Sequence, residues 1–395
     1  MNIYKIAEQI DVVKIASDMV KIPSYSFMER QENNVANYIY EFFKSNNIDV
    51  KKVYVDEGRP NVIAKIPGKG GKSLMLSGHI DTVPPYDMVD PFSGEIENGK
   101  LHGRGSCDMK GPIAAMMVAM KTINESDVVL DGDLYFSAVI DEEEKGSGIE
   151  SLIKEWPDID AVIVGEPTQL NICLGHKGLE WIKVEITGKK VHSGNMKDGV
   201  NAINMAVRFL TYIEDVYSKE ILKRKHKILG EATINIGTIN GGDQPSTVPD
   251  KCVIGIDRRF VPGETKEQVY DELKEIIEKL SVIYPGFNAE VTNLFNDENF
   301  PSHLPFCTDE NSDIVNSIKK AMKETGVNNK EVKAFAAWSD AGMLSEKTNS
   351  KCIVLGPGNL ALAHSAHEFI ETSELIEATK IYIGTAMNYC KGGKG

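Results

Sequence analysis

The sequence holds six cysteines, at 107, 173, 252, 307, 352 and 390, yet no Cys-X-X-Cys pair. That absence excludes finger-type zinc sites and dithiol redox motifs, and the scattered thiols read as reduced. No apolar run approaches the roughly 18 residues a membrane helix needs. The opening segment, MNIYKIAEQIDVVKIASDMV, mixes charges into its apolar positions and has no signal-peptide core. The expectation is a cytoplasmic protein with no membrane partner. Positive charge is also in deficit: 44 Lys and Arg stand against 58 Asp and Glu, a formal net charge of -14. Nucleic acid is therefore a poor partner, whereas an anionic small molecule needs only one local Arg. Low-complexity blocks and internal repeats are missing as well.

What is present is an ordinary globular composition, 42% hydrophobic and 26% charged. A chain of 395 residues is more than one hydrophobic core usually organises, so two domains are expected. Residues 29–46 carry Val35, Tyr38, Ile39, Phe42 and Phe43 at helical spacing, a helix with one buried face. Apolar runs at 61–66, 73–77, 133–140, 160–164 and 351–355 suit strands covered on both faces, as in a mostly parallel α/β sheet. A helical pattern at 112–123 lies between two of them. The middle of the chain reads strand 179–187, helix 200–217, strands 232–239 and 252–257, helix 265–280, strand 288–294. This βαββαβ order is the ferredoxin-like arrangement. It predicts domains at 1–177, 178–293 and 294–395, the second inserted into a flanking α/β domain.

The polar residues sit at the strand ends. Run 73–77 leads into Gly78-His79-Ile80-Asp81, and run 133–140 into Asp141-Glu142-Glu143-Glu144. Run 160–164 leads into Gly165-Glu166-Pro167, and run 351–355 into Gly-Pro-Gly and on to His364. Parallel strands bring their carboxyl ends to one edge, where open α/β folds bind ligands. Asp108, in GRGSCDMKG just before a helix, can join them. A lone His, or an acidic triplet such as 142–144, is by itself a surface feature; the coincidence at four strand ends is what carries weight. Acids crowded at one edge need compensating cations, and two His with Asp and Glu suit zinc, cobalt or manganese.

At these residues the sequence resembles the zinc-dependent family of acetylornithine deacetylase, succinyl-diaminopimelate desuccinylase, aminoacylase and glutamate carboxypeptidase. The matching segments run in family order: SGHIDTVP (77–84), GRGSCDMKG (103–111), DEE (141–143), GEPT (165–168), VHSGNMKDGVNAI (191–203), DRRFVPGET (257–265) and GPGNLALAHSAHEF (356–369). The resemblance implies a phosphorylase/hydrolase-like catalytic domain and a lid that also dimerises. It implies two divalent ions: His79 and Glu166 on one, Glu143 and His364 on the other, Asp108 bridging. Asp81 would orient His79 from behind, and Glu142 would be the general base toward the attacking water. His192 would reach the site of the other subunit in a homodimer and stabilise the oxyanion. Arg259 would grip the substrate carboxylate with its fork, and Arg258 would serve as an ion-pair partner.

Two departures stand out. The lid segment reads Gln244-Pro245-Ser246-Thr247-Val248-Pro249 where Asn is common, and His367 stands where Asn is usual, leaving His364 as the expected ligand. Asp340 lies in a segment near the family site and takes no assigned role. Cys107 beside Asp108 could be a nucleophile only with a dedicated His base; the His residues are better used by metal. The resulting expectation is metal-dependent hydrolysis of an N-acyl amino acid, of deacetylase or desuccinylase type. A dipeptidase or carboxypeptidase is the alternative. A binding protein that had lost catalysis fits less well, because all five ligand positions, Asp81 and Glu142 are retained.

Overall fold

A computed structural model describes residues 3–155, 158–295, 303–328 and 330–391. The chain forms two compact units, one of residues 1–175, 307–335 and 339–395, the other of 176–306 with 336–338. The second stretch of the first unit thus begins later than the expected 294, and Ala336–Trp338 groups with the second unit.

Along the first unit run strands β1 (Asp49–Asp56), β2 (Arg59–Ile66), β3 (Gly71–His79), β4 (Gly132–Val139), β5 (Ala161–Val164) and β6 (Ile172–Cys173). The second unit contributes β7 (Gly178–Thr187), β8 (Thr233–Gly241), β9 (Lys251–Phe260) and β10 (Ala289–Asn293), and the chain returns with β11 (Val332–Lys333) and β12 (Lys351–Val354). The large sheet has the order β1-β2-β4-β3-β5-β12-β6-β11. Its four central strands, β4, β3, β5 and β12, are mutually parallel. The flanks include antiparallel pairs, β1 with β2, β2 with β4, and β12 with β6. The sheet is therefore mixed: parallel at the runs 73–77, 133–140, 160–164 and 351–355, but antiparallel at 61–66, where the same reading expected a mostly parallel sheet. β3 shows the reason for those runs, with nearly every residue buried. β1, DVKKVYVD, instead alternates exposed and half-buried positions at the sheet edge.

Helix α1 (Asn33–Ser45) buries Val35, Ala36, Ile39 and Phe43. Helix α2 (Lys110–Asn124) is buried along nearly its whole length, all but Lys121 and Asn124, and packs against β3, β4 and the helices Val12–Val20 and Thr372–Tyr389. Its first residue lies two positions after Asp108, so the most buried helix of the unit anchors that aspartate.

The second unit is a four-stranded antiparallel sheet in the order β8-β9-β7-β10 with helices α3 (Ala202–Tyr212) and α4 (Lys266–Ile283). The helix expected over 200–217 continues beyond Tyr212 through a wider π turn, Ile213–Tyr217. Ile182, Val184 and Ile186 of β7 and Ile254 and Ile256 of β9 pack with Phe209, Leu273 and Ile276 in one core. Among the described residues no helix is long and apolar enough to cross a membrane.

Candidate metal centre

The parallel register sets the site. Ser77 pairs with Val164 and His79 with Val139, so the residues just past β5 and β4 emerge beside the end of β3. Two glycines make the edge a shallow shelf. A methyl group on Gly78 would lie 2.2 Å from Met109 Cε, and one on Gly165 would lie 2.9 Å from the same atom. Met109 thus rests over the residues that precede His79 and Glu166, and its neighbour Asp108 comes to the same edge.

His79 Nε2 lies 3.0 Å from Asp108 Oδ1 and 3.8 Å from Glu166 Oε1. His364 Nε2 lies 3.1 Å from Glu143 Oε1 and 3.3 Å from Asp108 Oδ2. The two Asp108 oxygens therefore face opposite ways, one toward each histidine. Single donor atoms of His79, Asp108 and Glu143 fall within 4.8 Å of one another. His79, Asp81, Asp108 and Glu166 are buried, whereas the His364 side chain is half exposed and marks the open side. His364 has φ 61° and Asp141, just before Glu142, has φ 66°. Left-handed backbone at non-glycine residues costs energy and concentrates at functional sites.

Asp81 behaves differently from a simple partner of the His79 ring. The His79 Nδ1 neighbour is the Asp81 main-chain oxygen at 3.0 Å, with its carboxylate Oδ1 at 3.5 Å. The other carboxylate oxygen accepts from the Glu143 backbone N–H at 3.0 Å, so one residue steadies both a histidine and the Glu142–Glu143 turn. The far side of that turn is held by Asp141, which accepts from Ser147 Oγ at 2.7 Å and pairs with Arg59 at 3.3 Å. Arg59 in turn forks onto buried Glu32 at 2.6 and 2.7 Å.

Electrostatics report the crowding. Burial pushes the Glu142 and Glu166 carboxyls well above the usual range, and neighbouring carboxylates push further. Glu143 is raised by burial and by Asp108. Asp340 is raised to about 7 by burial, with Asp81 and Asp141 adding to it. Burial alone would lower the His79 imidazole, but Asp108, Asp81 and Glu166 hold it well above its ordinary value. Hydrogen bonds to Asp108 and Glu143 raise His364 to about 10. Burial works against the charged form of Asp108, yet the bonds from His364 and His79 prevail and hold its carboxyl low. Asp81 Oδ1 and Glu166 Oε1 are buried without a hydrogen-bond partner, so carboxylate lone pairs remain unfilled. Oxygen and nitrogen donors with unfilled buried lone pairs fit divalent transition ions. Cys107 is buried, its thiol is pushed well up by burial, and it points at the Asn359 carbonyl oxygen, 3.4 Å away, an environment unlike that of a nucleophile.

Residues 75–388 match the sequence profile of peptidase family M20/M25/M40. The chain belongs to this family. It is a metal-dependent hydrolase of amides or peptides, the class expected from its motifs. The chain is 28% identical to the "Probable succinyl-diaminopimelate desuccinylase" of Staphylococcus aureus, over 96% of this chain and 97% of that one. Its fold matches the crystal structure of aminopeptidase PepT from Bacillus cereus with a TM-score of 0.80 at 20% identity, covering 96% and 98% of the two chains. It also matches the Bacillus subtilis YXEP protein, described as a dinuclear metal binding peptidase from the M20 family, with a TM-score of 0.73 at 17% identity over 97% and 98%.

His192, Gln244, Arg258 and Arg259 of this M20 chain lie in the second unit, and His367 lies in the first. His192 is exposed in the short strand Val191–His192, and its Nδ1 accepts from the Gly194 backbone N–H at 3.1 Å. Arg259, on β9, gives Nε and Nη2 to the two Asp257 oxygens at 2.8 and 3.1 Å. Arg258 is buried against Glu264, the ion-pair role expected of it. Gln244 donates to Thr247 Oγ1 at 3.0 Å, and His367 is exposed. Sequence reasoning missed Arg59, Met109 and Glu368. Only the glycines ahead of His79 and Glu166 could have hinted at the Met109 shelf.

Proposed function

We propose that this M20 enzyme hydrolyses the amide bond of N-acyl amino acids, of deacetylase or desuccinylase type, at a centre of two divalent ions, zinc for preference. One observation carries the reading: His79, Asp108, Glu143, Glu166 and His364, from five separate segments, meet at one sheet edge with Glu142 beside them. His79 and Glu166 would hold one ion, Glu143 and His364 the other, and the outward-facing oxygens of Asp108 would bridge. When bound, such a pair acidifies water and polarises a carbonyl.

The chain's own residues then have separate tasks. Glu142 takes the proton of the attacking water at its carboxylate and returns it to the leaving amine nitrogen. Asp81 keeps His79 and the Glu143 turn in place. Because Nδ1 of His192 accepts from Gly194, its proton sits on Nε2, which makes that atom a donor suited to an oxyanion. Asp257 occupies the side-on edge of Arg259, and the end-on edge, Nη1 with Nη2, is left for a substrate carboxylate.

A homodimer in which His192 serves the partner's site accords with the exposed Ile203 and Val207 on α3 and Ile239 on β8, the edge strand of its sheet. Six free thiols suit a reducing cytoplasm. A peptidase is the second reading, favoured by the fold shared with aminopeptidase PepT. A turnover screen of the zinc-loaded protein with acetyl, succinyl and formyl amino acids beside dipeptides separates the two. Cleavage of dipeptides alone would reject the deacylase reading. Mixing inactive His192→Ala with inactive Glu142→Ala should restore activity, and no rescue after verified subunit exchange would reject the shared site.

A further inference from the structure

Glu368 is wholly buried and lies four residues past His364. One of its carboxylate oxygens accepts from three backbone N–H groups, those of Gly105 at 3.0 Å, Cys107 at 2.9 Å and Asp108 at 3.1 Å. The other accepts from Arg104 Nη1 at 2.5 Å. Its main-chain oxygen takes the Gly103 N–H at 3.3 Å, and the next residues, Phe369–Glu371, pair antiparallel with Lys100–His102. Five bonds from one residue therefore run to the segment 103–108. That segment carries Asp108, and Glu368's own carries His364, whose side chains must meet at 3.3 Å although they lie far apart in sequence. Within residues 103–110, the Ser106 N–H also reaches Gly103 O at 3.0 Å and the Lys110 N–H reaches Gly105 O at 2.8 Å, bonds that shape the turn without tying it to the His364 segment. Residues 105–108 form a turn ahead of α2, and the residue capping that helix, Met109, makes no side-chain cap of its own.

We propose that Glu368 is the positioning residue of the dinuclear centre: it clamps the Asp108 turn to the His364 segment, so that metal affinity depends on a carboxylate that touches neither metal nor substrate. The inference rests on the metal-centre reading above. A charge held by convergent amides and a guanidinium is a rigid fixture, and groups that orient metal ligands from behind typically change affinity ten- to a hundredfold when removed.

The alternative, that Glu368 only stabilises the fold, is separated by replacing the whole pair. Arg104→Met with Glu368→Met fills the space without leaving an unpaired buried charge, a replacement that buried ion pairs often tolerate. The three amides nevertheless lose their acceptor. Zinc affinity is read by competition with a chromophoric chelator, and folding by thermal melts in excess chelator. The double variant should melt close to the parent while its zinc affinity falls about ten- to a hundredfold. Glu368→Gln, whose carbonyl oxygen still meets the amides, should retain most of the affinity. Two zinc ions bound as tightly by the double variant as by the parent would overturn the proposal, as would a Gln variant that loses as much as the Met pair. Should the double variant not fold, Glu368→Asp decides. It keeps the charge pair but draws the carboxylate back by one methylene, so weaker zinc supports the clamp and parental affinity refutes it. A parent that binds no zinc in the same assay would dismiss the metal-centre reading instead.

Discussion

Replacing Gly78 with Ala tests how the shelf beneath the site delivers Asp108. The new methyl would lie 2.2 Å from Met109 Cε, 3.1 Å from Met109 Sδ and 2.9 Å from Ile113 Cδ1. Carbon atoms rest at about 3.5–4.0 Å, so the end of Met109 must retreat by more than an ångström. Overpacking of this kind costs about 1–3 kcal/mol, and a flexible thioether places the cost near the lower end. Met109 is fully buried, so Met109→Ala alone should cost about 2–5 kcal/mol. In the double variant the added methyl fills part of the vacated space, and the two penalties should couple by about 1 kcal/mol or more. Urea unfolding of the zinc-free protein measures all three variants against the parent. The second readout is zinc affinity, because Met109 follows Asp108 directly in the chain and any part of the retreat taken up by its backbone displaces that carboxylate. A tenfold loss in Gly78→Ala, worth about 1.4 kcal/mol, is expected. Penalties that add within about 0.5 kcal/mol, with zinc affinity unchanged, would refute the shelf.

Other outcomes follow from the same geometry. Glu142→Gln should bind zinc with parental stoichiometry, by elemental analysis, while kcat falls by about 10²–10⁴; near-normal turnover would remove the base assignment. Arg259→Ala should raise KM for a carboxylate-bearing substrate with little change in kcat, a loss of about 1.5–3 kcal/mol for a charged hydrogen bond, checked by steady-state kinetics. Without metal, stability should fall as pH rises. His364 titrates near 10 in the folded chain against 6.5 ordinarily, so its contribution is complete below pH 6.5 and lost through pH 10. Asp340, raised to about 7, binds its proton more tightly when folded and adds a loss between about pH 4 and 7. Thermal melts in chelator from pH 5 to 10 should therefore decline steadily, and an apo protein most stable at alkaline pH would contradict the charge arrangement.

How much of this was legible in the residues differs by element. The four central strands were, because a parallel strand covered on both faces must be an apolar run, as 73–77 and 160–164 are. β1 was not, since an edge strand buries little and its alternation carries charges at Lys51 and Lys52. The βαββαβ order of the second unit was legible from its changing periodicity, although the π turn after Tyr212 left no mark in the pattern. The candidate metal residues were marked by their recurrence at strand ends and by motif, which ranked His364 above His367.

The sequence alone determined the central strands and that their carboxyl ends carry His and acids, and its motifs resembled those of a family of metal-dependent hydrolases. Those are properties of local pattern, where each residue type answers to burial or to charge. Only the tertiary structure decided that Asp108 turns one oxygen toward each histidine, that Met109 lies over two glycines, that Asp81 holds Glu143 as well as His79, and that Glu368 bonds the turn 103–108. Each of these depends on atoms brought together from segments far apart in the chain. A glutamate reads the same in a sequence whether it faces water or three backbone amides.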